Sequence, residues 1–401
     1  MKDTRRSFLK KSALISASVL IPDFLKAFGS LANPQQFVGK RLVVIQLSGG
    51  NDGLNCVVPF RNDEYFKLRP SIGLEEKKRI KITDDVALNS SLAGLADLYN
   101  QGHLTIINSV GYPNPNRSHF RSTDIWQSAS NANQYVNTGW VGRYLDALCT
   151  DNCANPHTAI ELDDTLSLVL KGIKTKGLAF DDPKMLYKTA QNELIQKIAK
   201  SPYHDHHDSV ASFLHKSLRE TTQSSDYIYQ QSKIYTSQIT YPASSFGKRM
   251  KTIAELICSG SETQVYYISL PGFDTHAGQL GMHDRVLSAY SEAVKAFCED
   301  LKANNLFDDT VILTFSEFGR RVKQNASRGT DHGTANNVYV INGKLKKPGI
   351  YNEMTNLTDL DEGDLKYTID FRQVYATIVE NSLSKPSKLI LGGEFQSLDF
   401  L

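Results

Sequence analysis

Thr310-Val-Ile-Leu-Thr-Phe315 runs directly into Ser316-Glu317-Phe318-Gly319-Arg320, and ten residues further on stand Thr330-Asp331-His332-Gly333-Thr334. A short apolar, β-branched run of this kind reads as a buried strand. A carboxylate just past its end, with Asp-His soon after, suits a crevice at the carboxyl edge of a parallel sheet. Two other segments repeat the grammar. Arg41-Leu-Val-Val-Ile-Gln-Leu47 leads into Ser48-Gly-Gly-Asn-Asp52-Gly53, and Gln264-Val-Tyr-Tyr-Ile-Ser-Leu270 leads into Pro271-Gly-Phe-Asp274-Thr-His276. Three strands therefore deliver Asp52, Asp274, His276 and Glu317 towards one edge, and a metal-dependent hydrolytic site is the reading that accounts for all of them.

Further strand patterns at 104–109 and 337–341 alternate with helical ones, which predicts a single α/β domain over residues 33–401. In the helix expected over 284–304, Leu287, Tyr290, Val294, Phe297 and Leu301 form the buried stripe. A second helix is expected over 370–380 with Asp370 as its N-cap. Residues 150–260 show helical patterns at 184–200, 206–222 and 245–259, and read as a largely helical insertion or cap over the active-site edge.

Residues 1–32 read as an address. Thr4-Arg5-Arg6-Ser7-Phe8-Leu9-Lys10 fits the twin-arginine export pattern, Ala13–Ile21 forms a short apolar region, and Ser30-Leu31-Ala32 offers a cleavage site. The chain is thus expected to be periplasmic or secreted, with the twin-arginine export machinery as a partner. No segment is apolar enough for stable membrane insertion. The +2 formal charge lies in this leader: six Lys/Arg face two Asp/Glu there, leaving the remainder at net −2 and giving no argument for nucleic acid. Among five cysteines, Cys149 and Cys153 either pair in an oxidising compartment or remain core thiols.

After the strand at 104–109, Gly111-Tyr-Pro-Asn-Pro-Asn-Arg117-Ser118-His119-Phe120 opens a helix-like run. A serine at a helix start has free backbone amides and a positive dipole end beside it, an environment for an anionic ester and a reactive hydroxyl; its ordinary role is an N-cap. Arg117, Arg121 and Arg320 are candidates for holding anionic oxygens, and His119 for assisting a water. The polar cluster His204-Asp-His-His207-Asp208 has no strand before it and reads as a surface feature.

Taken together, Leu47-Ser-Gly-Gly-Asn-Asp52-Gly53, Ser118-His-Phe120, Gly272-Phe-Asp-Thr-His276, Ser316-Glu-Phe-Gly-Arg320, Asp331-His-Gly-Thr334 and Asp370-Phe-Arg372 resemble the DUF1501 family over nearly the whole mature chain. That family is grouped with the alkaline phosphatase and sulfatase superfamily. The resemblance implies a doubly wound, mostly parallel sheet and a two-metal crevice, with Ser118 as nucleophile and Asp52, Asp274, His276, Glu317, Asp331 and His332 as the metal ligands. Zinc fits such a donor set, and a second site would take zinc, manganese, magnesium or calcium. Glu317-Phe318 stands where an adjacent Asp-His is usual, so the second metal lacks an imidazole there unless Asp331 or His119 substitutes. Pro113 stands where a sulfatase carries its modified residue, which argues against formylglycine chemistry. The implied activity is hydrolysis of a small phosphate or related anionic ester; the alternative is a non-catalytic periplasmic binding or assembly protein that keeps the fold.

Overall fold

The computed structural model describes residue 37 and residues 39–149, 155–201 and 210–401. The export motif, its cleavage site, Cys153 and the His204–Asp208 cluster lie outside them. Residues Gly39–Leu401 form one compact unit.

Its centre is a sheet built from β1 (Arg41–Ser48), β2 (Leu104–Gly111), β3 (Ala159–Glu161), β4 (Leu178–Ala179), β5 (Val265–Pro271), β6 (Thr310–Phe315), β7 (Asn336–Ile341), β8 (Gly349–Ile350) and β9 (Ile369–Asp370). The strands lie in the order β8-β2-β7-β6-β1-β5-β3-β4, and β9 also pairs with β2. β7 alone runs antiparallel to its neighbours in this sheet; the other pairs are parallel. The doubly wound, mostly parallel α/β fold read from the sequence is therefore the observed one.

Register explains why the chemistry collects at one edge. Ser48 pairs with Pro271 and Gln46 with Phe315, so β1, β5 and β6 end level with one another. Because β7 runs the other way, its first residue, Asn336, lies opposite Val110 near the end of β2. The loop before β7 and the loop after β2 thus reach the same edge as the three parallel loops. The first carries His332, and the second leads into α1 (His119–Ser128), whose first residue is His119.

The sheet is buried on both faces, as a parallel sheet requires. Along β1, Val43 and Ile45 face one core with Leu287, Tyr290, Val294 and Phe297 of the long helix Gln279–Ala303. Leu42 and Val44 face the other core, with Trp126 of α1 (His119–Ser128) and Val374, Tyr375 and Ile378 of the helix Phe371–Asn381. Each such side chain contributes about 1.5–3 kcal/mol on burial. Asp370 caps the helix Phe371–Asn381 through a full capping box with Gln373, as its position predicts.

The stretch 150–260 differs from the expected helical cap. β3 and β4 fall inside it and extend the sheet beyond β5; strands of three and two residues are too short to show a period. The helix Ser245–Cys258 buries Phe246, Met250, Ile253 and Ile257 in the same core as Val43, so it is a layer of the domain. Expected helix 184–200 is two helices, Pro183–Ala190 and Glu193–Lys200, because Asn192 caps a new start. Cys149 is disulfide-bonded, and Cys56, Cys258 and Cys298 are free. No helix among the described residues is long and apolar enough to cross a membrane.

Candidate metal and hydrolytic site

At the carboxyl edge, three loops are laced together by one side chain. Arg320, whose side chain is fully buried, donates to Gly50 O (2.6 Å), Gly49 O, Phe273 O (3.0 Å), Thr330 O (2.8 Å) and Asp274 Oδ1 (2.7 Å). Read from sequence as a substrate clamp, it has its donors consumed inside the protein and acts as the staple of the site. Gly49 makes the close approach possible. It sits at φ +121°, where a Cβ would lie 2.4 Å from the Asp274 backbone nitrogen, and its N–H donates to Glu317 Oε1 at 2.8 Å.

Asp274 Oδ1 is the focus of three imidazoles. His276 Nε2 lies 2.9 Å from it, His332 Nε2 3.2 Å and His119 Nε2 3.6 Å, while the His276 and His332 Nε2 atoms are 2.9 Å apart. Partial burial pushes the Asp274 carboxyl up, but the Arg320 and His332 hydrogen bonds outweigh it and hold it at about 2. It is therefore an anion at any ordinary pH. His119, Asp274 and His332 each offer one donor atom within 4.8 Å of the others, a group of a size to hold a metal ion.

His119 owes its place to β2, to the turn that follows it, and to Glu317. Asn116 Oδ1 accepts the Ser118 N–H at 2.8 Å, fixing the turn from which α1 starts. Tyr112 OH accepts the Asn116 N–H (3.1 Å) and bonds Ser122 Oγ (2.9 Å), and Ser122 Oγ in turn donates to Glu317 O. Glu317, 1% exposed, meets His119 Nδ1 at 2.9 Å through Oε1. That hydrogen bond raises the His119 pKa against the opposing effect of burial. His119 Nε2 is buried without a hydrogen-bond partner. An imidazole gripped at Nδ1 by a carboxylate, with Nε2 free and facing another carboxylate, has the form of an oriented metal ligand. His332 is oriented likewise: its Nδ1 bonds Arg117 O at 2.8 Å, and burial lowers its pKa.

The expected ligands do not all meet. Asp52 is 1% exposed and turned to Arg69 Nη1 at 2.6 Å, with Gln279 donating to the same oxygen. Burial pushes its pKa up, and Arg69 more than reverses this. Glu317 stands behind His119, so its place in the site is indirect. Asp331 lies beside the group, 3.5 Å from His276 Nδ1 and accepting from Asn325 at 3.1 Å. His119 lies beside position 318, its ring packed against Phe318 with centroids 4.9 Å apart.

Of the expected anion holders, Arg121 donates to the carbonyls of Asn131 (3.3 Å), Ala132 (3.0 Å) and Gln134 and stacks on Tyr135, so it shapes a loop. Arg117 pairs with buried Asp364. Ser118 occupies the N-cap of α1 with an exposed side chain that makes no cap hydrogen bond. Its hydroxyl is therefore available. Arg69, Gln279 and Asn51, whose N–H donates to Ser316 Oγ at 2.9 Å, carry parts of this framework, and nothing local in the sequence marks them.

If Glu317 positions His119, Glu317→Gln should weaken metal affinity by about 10–100-fold while the fold survives, since the amide keeps one acceptor for the His119 N–H. Metal titration of that variant checks it, and an unchanged affinity would contradict the positioning role.

The family model "Protein of unknown function (DUF1501)" matches residues 39–394. No curated protein sequence matches the chain. Among solved structures, Ps i-CgsB is 11% identical, covering 89% of this chain and 75% of that one at a TM-score of 0.43. The C-terminal periplasmic domain of EcEptC from Escherichia coli is 10% identical over 77% of this chain and 75% of that one, with a TM-score of 0.35. A protein in the alkaline phosphatase superfamily from Vibrio parahaemolyticus is 10% identical over 80% and 64%, with a TM-score of 0.36. Similarity this distant says nothing about chemistry.

Proposed function

We propose that this chain, which belongs to the DUF1501 family, is an exported metal-dependent hydrolase of small phosphate or related anionic esters. The observation that supports it most is the set of donor atoms from His119, Asp274 and His332 within 4.8 Å of one another. The donor set fits a cation on its chemistry: two imidazoles with a carboxylate ionised at ordinary pH, and a buried Nε2 that has no other hydrogen-bond partner. A divalent cation held there, zinc by donor type, supplies Lewis-acid stabilisation of anionic ester oxygens. His276 and Asp331, adjoining the group, are the residues left for a second cation.

The chain's own residues do the rest. Asp274, fixed by Arg320, brings negative charge to the centre of the group. Glu317 and Arg117 O orient the two imidazoles. Ser118 presents its hydroxyl at the amino end of α1, where free N–H groups and the helix dipole favour an anionic ester, and it is the nucleophile.

A screen of phosphomonoesters, phosphodiesters and sulfate esters, run beside metal analysis, tests this reading. Ser118→Ala should abolish turnover and keep the metal; retained hydrolysis would remove the nucleophile assignment. Since Ser118 makes no cap hydrogen bond, stability should change by less than the ~1 kcal/mol of an ordinary cap deletion. Full metal content with no hydrolysis of any ester class favours a periplasmic binding protein. Export through the twin-arginine route belongs to the same proposal: the Arg5→Lys/Arg6→Lys double variant should stay in the cytoplasm uncleaved, and normal export of it would refute the assignment.

A further inference from the structure

The geometry points to a second compartment of the site, a cavity of about 380 Å³ beside the histidine group that takes the ring-bearing organic part of the ester. This rests on the ester-hydrolase reading above and adds the class of substrate.

Phe318 is the wall that the two compartments share. It lines the cavity, and its ring centroid is 4.9 Å from that of His119 and 4.8 Å from that of His332. A group in the cavity is thus separated from the metal-binding imidazoles by the thickness of one ring. The other aromatic walls are Tyr112, Trp126 and Tyr367. Tyr112 and Trp126 are 4% and 2% exposed, whereas Tyr367 is 39% exposed and offers open ring surface. Tyr367 fits where it does because position 111 lacks a side chain: a Cβ on Gly111 would lie 2.8 Å from the Tyr367 Cβ. The polar side chains of the lining belong to Asn114, Thr334, Asp361 and Lys366. Thr334 Oγ1 is already committed to Leu365 O at 2.6 Å, and Lys366 pairs with Asp359.

The cavity wall and the site are tied together. Beside the cavity, the hairpin of Leu360–Asp361 and Asp364–Leu365 is anchored through Asp364, which pairs with Arg117 and, at 3.5 Å, with Arg321. Arg117 immediately precedes Ser118, and its carbonyl accepts from His332 at 2.8 Å. One residue therefore links the hairpin, the proposed nucleophile and a proposed ligand. The volume suits a single substituted ring, at the low end for small-molecule sites. Aromatic walls at four of the twelve lining positions favour a ring, through stacking, over a short or linear alcohol.

Calorimetry of the metal-loaded mature chain with inorganic phosphate, methyl phosphate, phenyl phosphate and glucose 1-phosphate tests this. At least one ring ester should bind about tenfold or more tightly than methyl phosphate, and which of the two gains separates an aryl from a sugar ring. Tyr367→Ala should cancel that advantage and leave inorganic phosphate affinity unchanged. Ring esters that bind no better than methyl phosphate, or a variant that weakens inorganic phosphate equally, would overturn the cavity assignment alone. Failure of every anion to bind, inorganic phosphate included, overturns the ester reading and this one with it. A second readout needs no variant. Trp126 is one of two tryptophans in the chain, and its emission should shift with the preferred ring ester but not with methyl phosphate; a bound ring ester without a shift counts against the cavity.

Discussion

His332→Ala should release the bound cation and abolish hydrolysis. The substitution removes one of the three donors that meet within 4.8 Å and leaves the Arg117 carbonyl without its imidazole partner. Structural zinc sites with four ligands bind with roughly 10–16 kcal/mol, so one ligand is worth about 2.5–4 kcal/mol, or a loss of affinity on the order of 10²–10³-fold. His332 is only partly buried, and its loss opens no core cavity, so the fold should survive. Equilibrium dialysis against zinc, with a thermal melt as control, reads both. A variant that keeps full affinity would place the metal elsewhere.

Arg69→Met should be the most destabilising change near the site. The side chain of Arg69 is fully buried and donates to Asp52 Oδ2 (2.6 Å), Asn55 Oδ1 (2.9 Å), Val322 O (2.8 Å) and Arg321 O (2.9 Å). Its removal strands a carboxylate that is 1% exposed and whose other oxygen already lacks a partner. Breaking a buried pair from one side costs about 3–5 kcal/mol, a large part of the stability of a typical domain. The companion Asp52→Asn should recover part of that loss in the double variant, because the stranded charge is then gone. Denaturant midpoints of the two single variants and the double decide it. A cost below about 1 kcal/mol for Arg69→Met would mean that the pair does not hold these loops.

The strands that place the chemistry were legible because each is buried on both faces and reads as a continuous apolar run. β1, β5 and β6 are of this kind, and the carboxylates and imidazoles just beyond them stand out against the apolar runs. What could not be read was direction and partnership. No periodicity shows that β7 runs antiparallel, yet that reversal brings His332 to the edge. Asp52 looks like a ligand from its place after β1, but Arg69, seventeen residues away in an unmarked loop, takes its charge. Glu317, expected among the ligands from its place after β6, meets the Nδ1 of His119, a partnership that sequence spacing does not show. Arg121 and Arg320 looked like anion holders because charge is visible in a sequence and burial is not. In the fold, both spend their donors on backbone carbonyls.

The cation itself is the most direct test. Cobalt(II) added to the metal-free mature chain should bind with at least one equivalent retained through dialysis, and its visible bands should report nitrogen and oxygen donors. Those bands should be lost in His119→Ala, Asp274→Ala and His332→Ala alike, and kept in Asp52→Asn. No retained cation, or bands that survive all three alanine variants, would contradict the account.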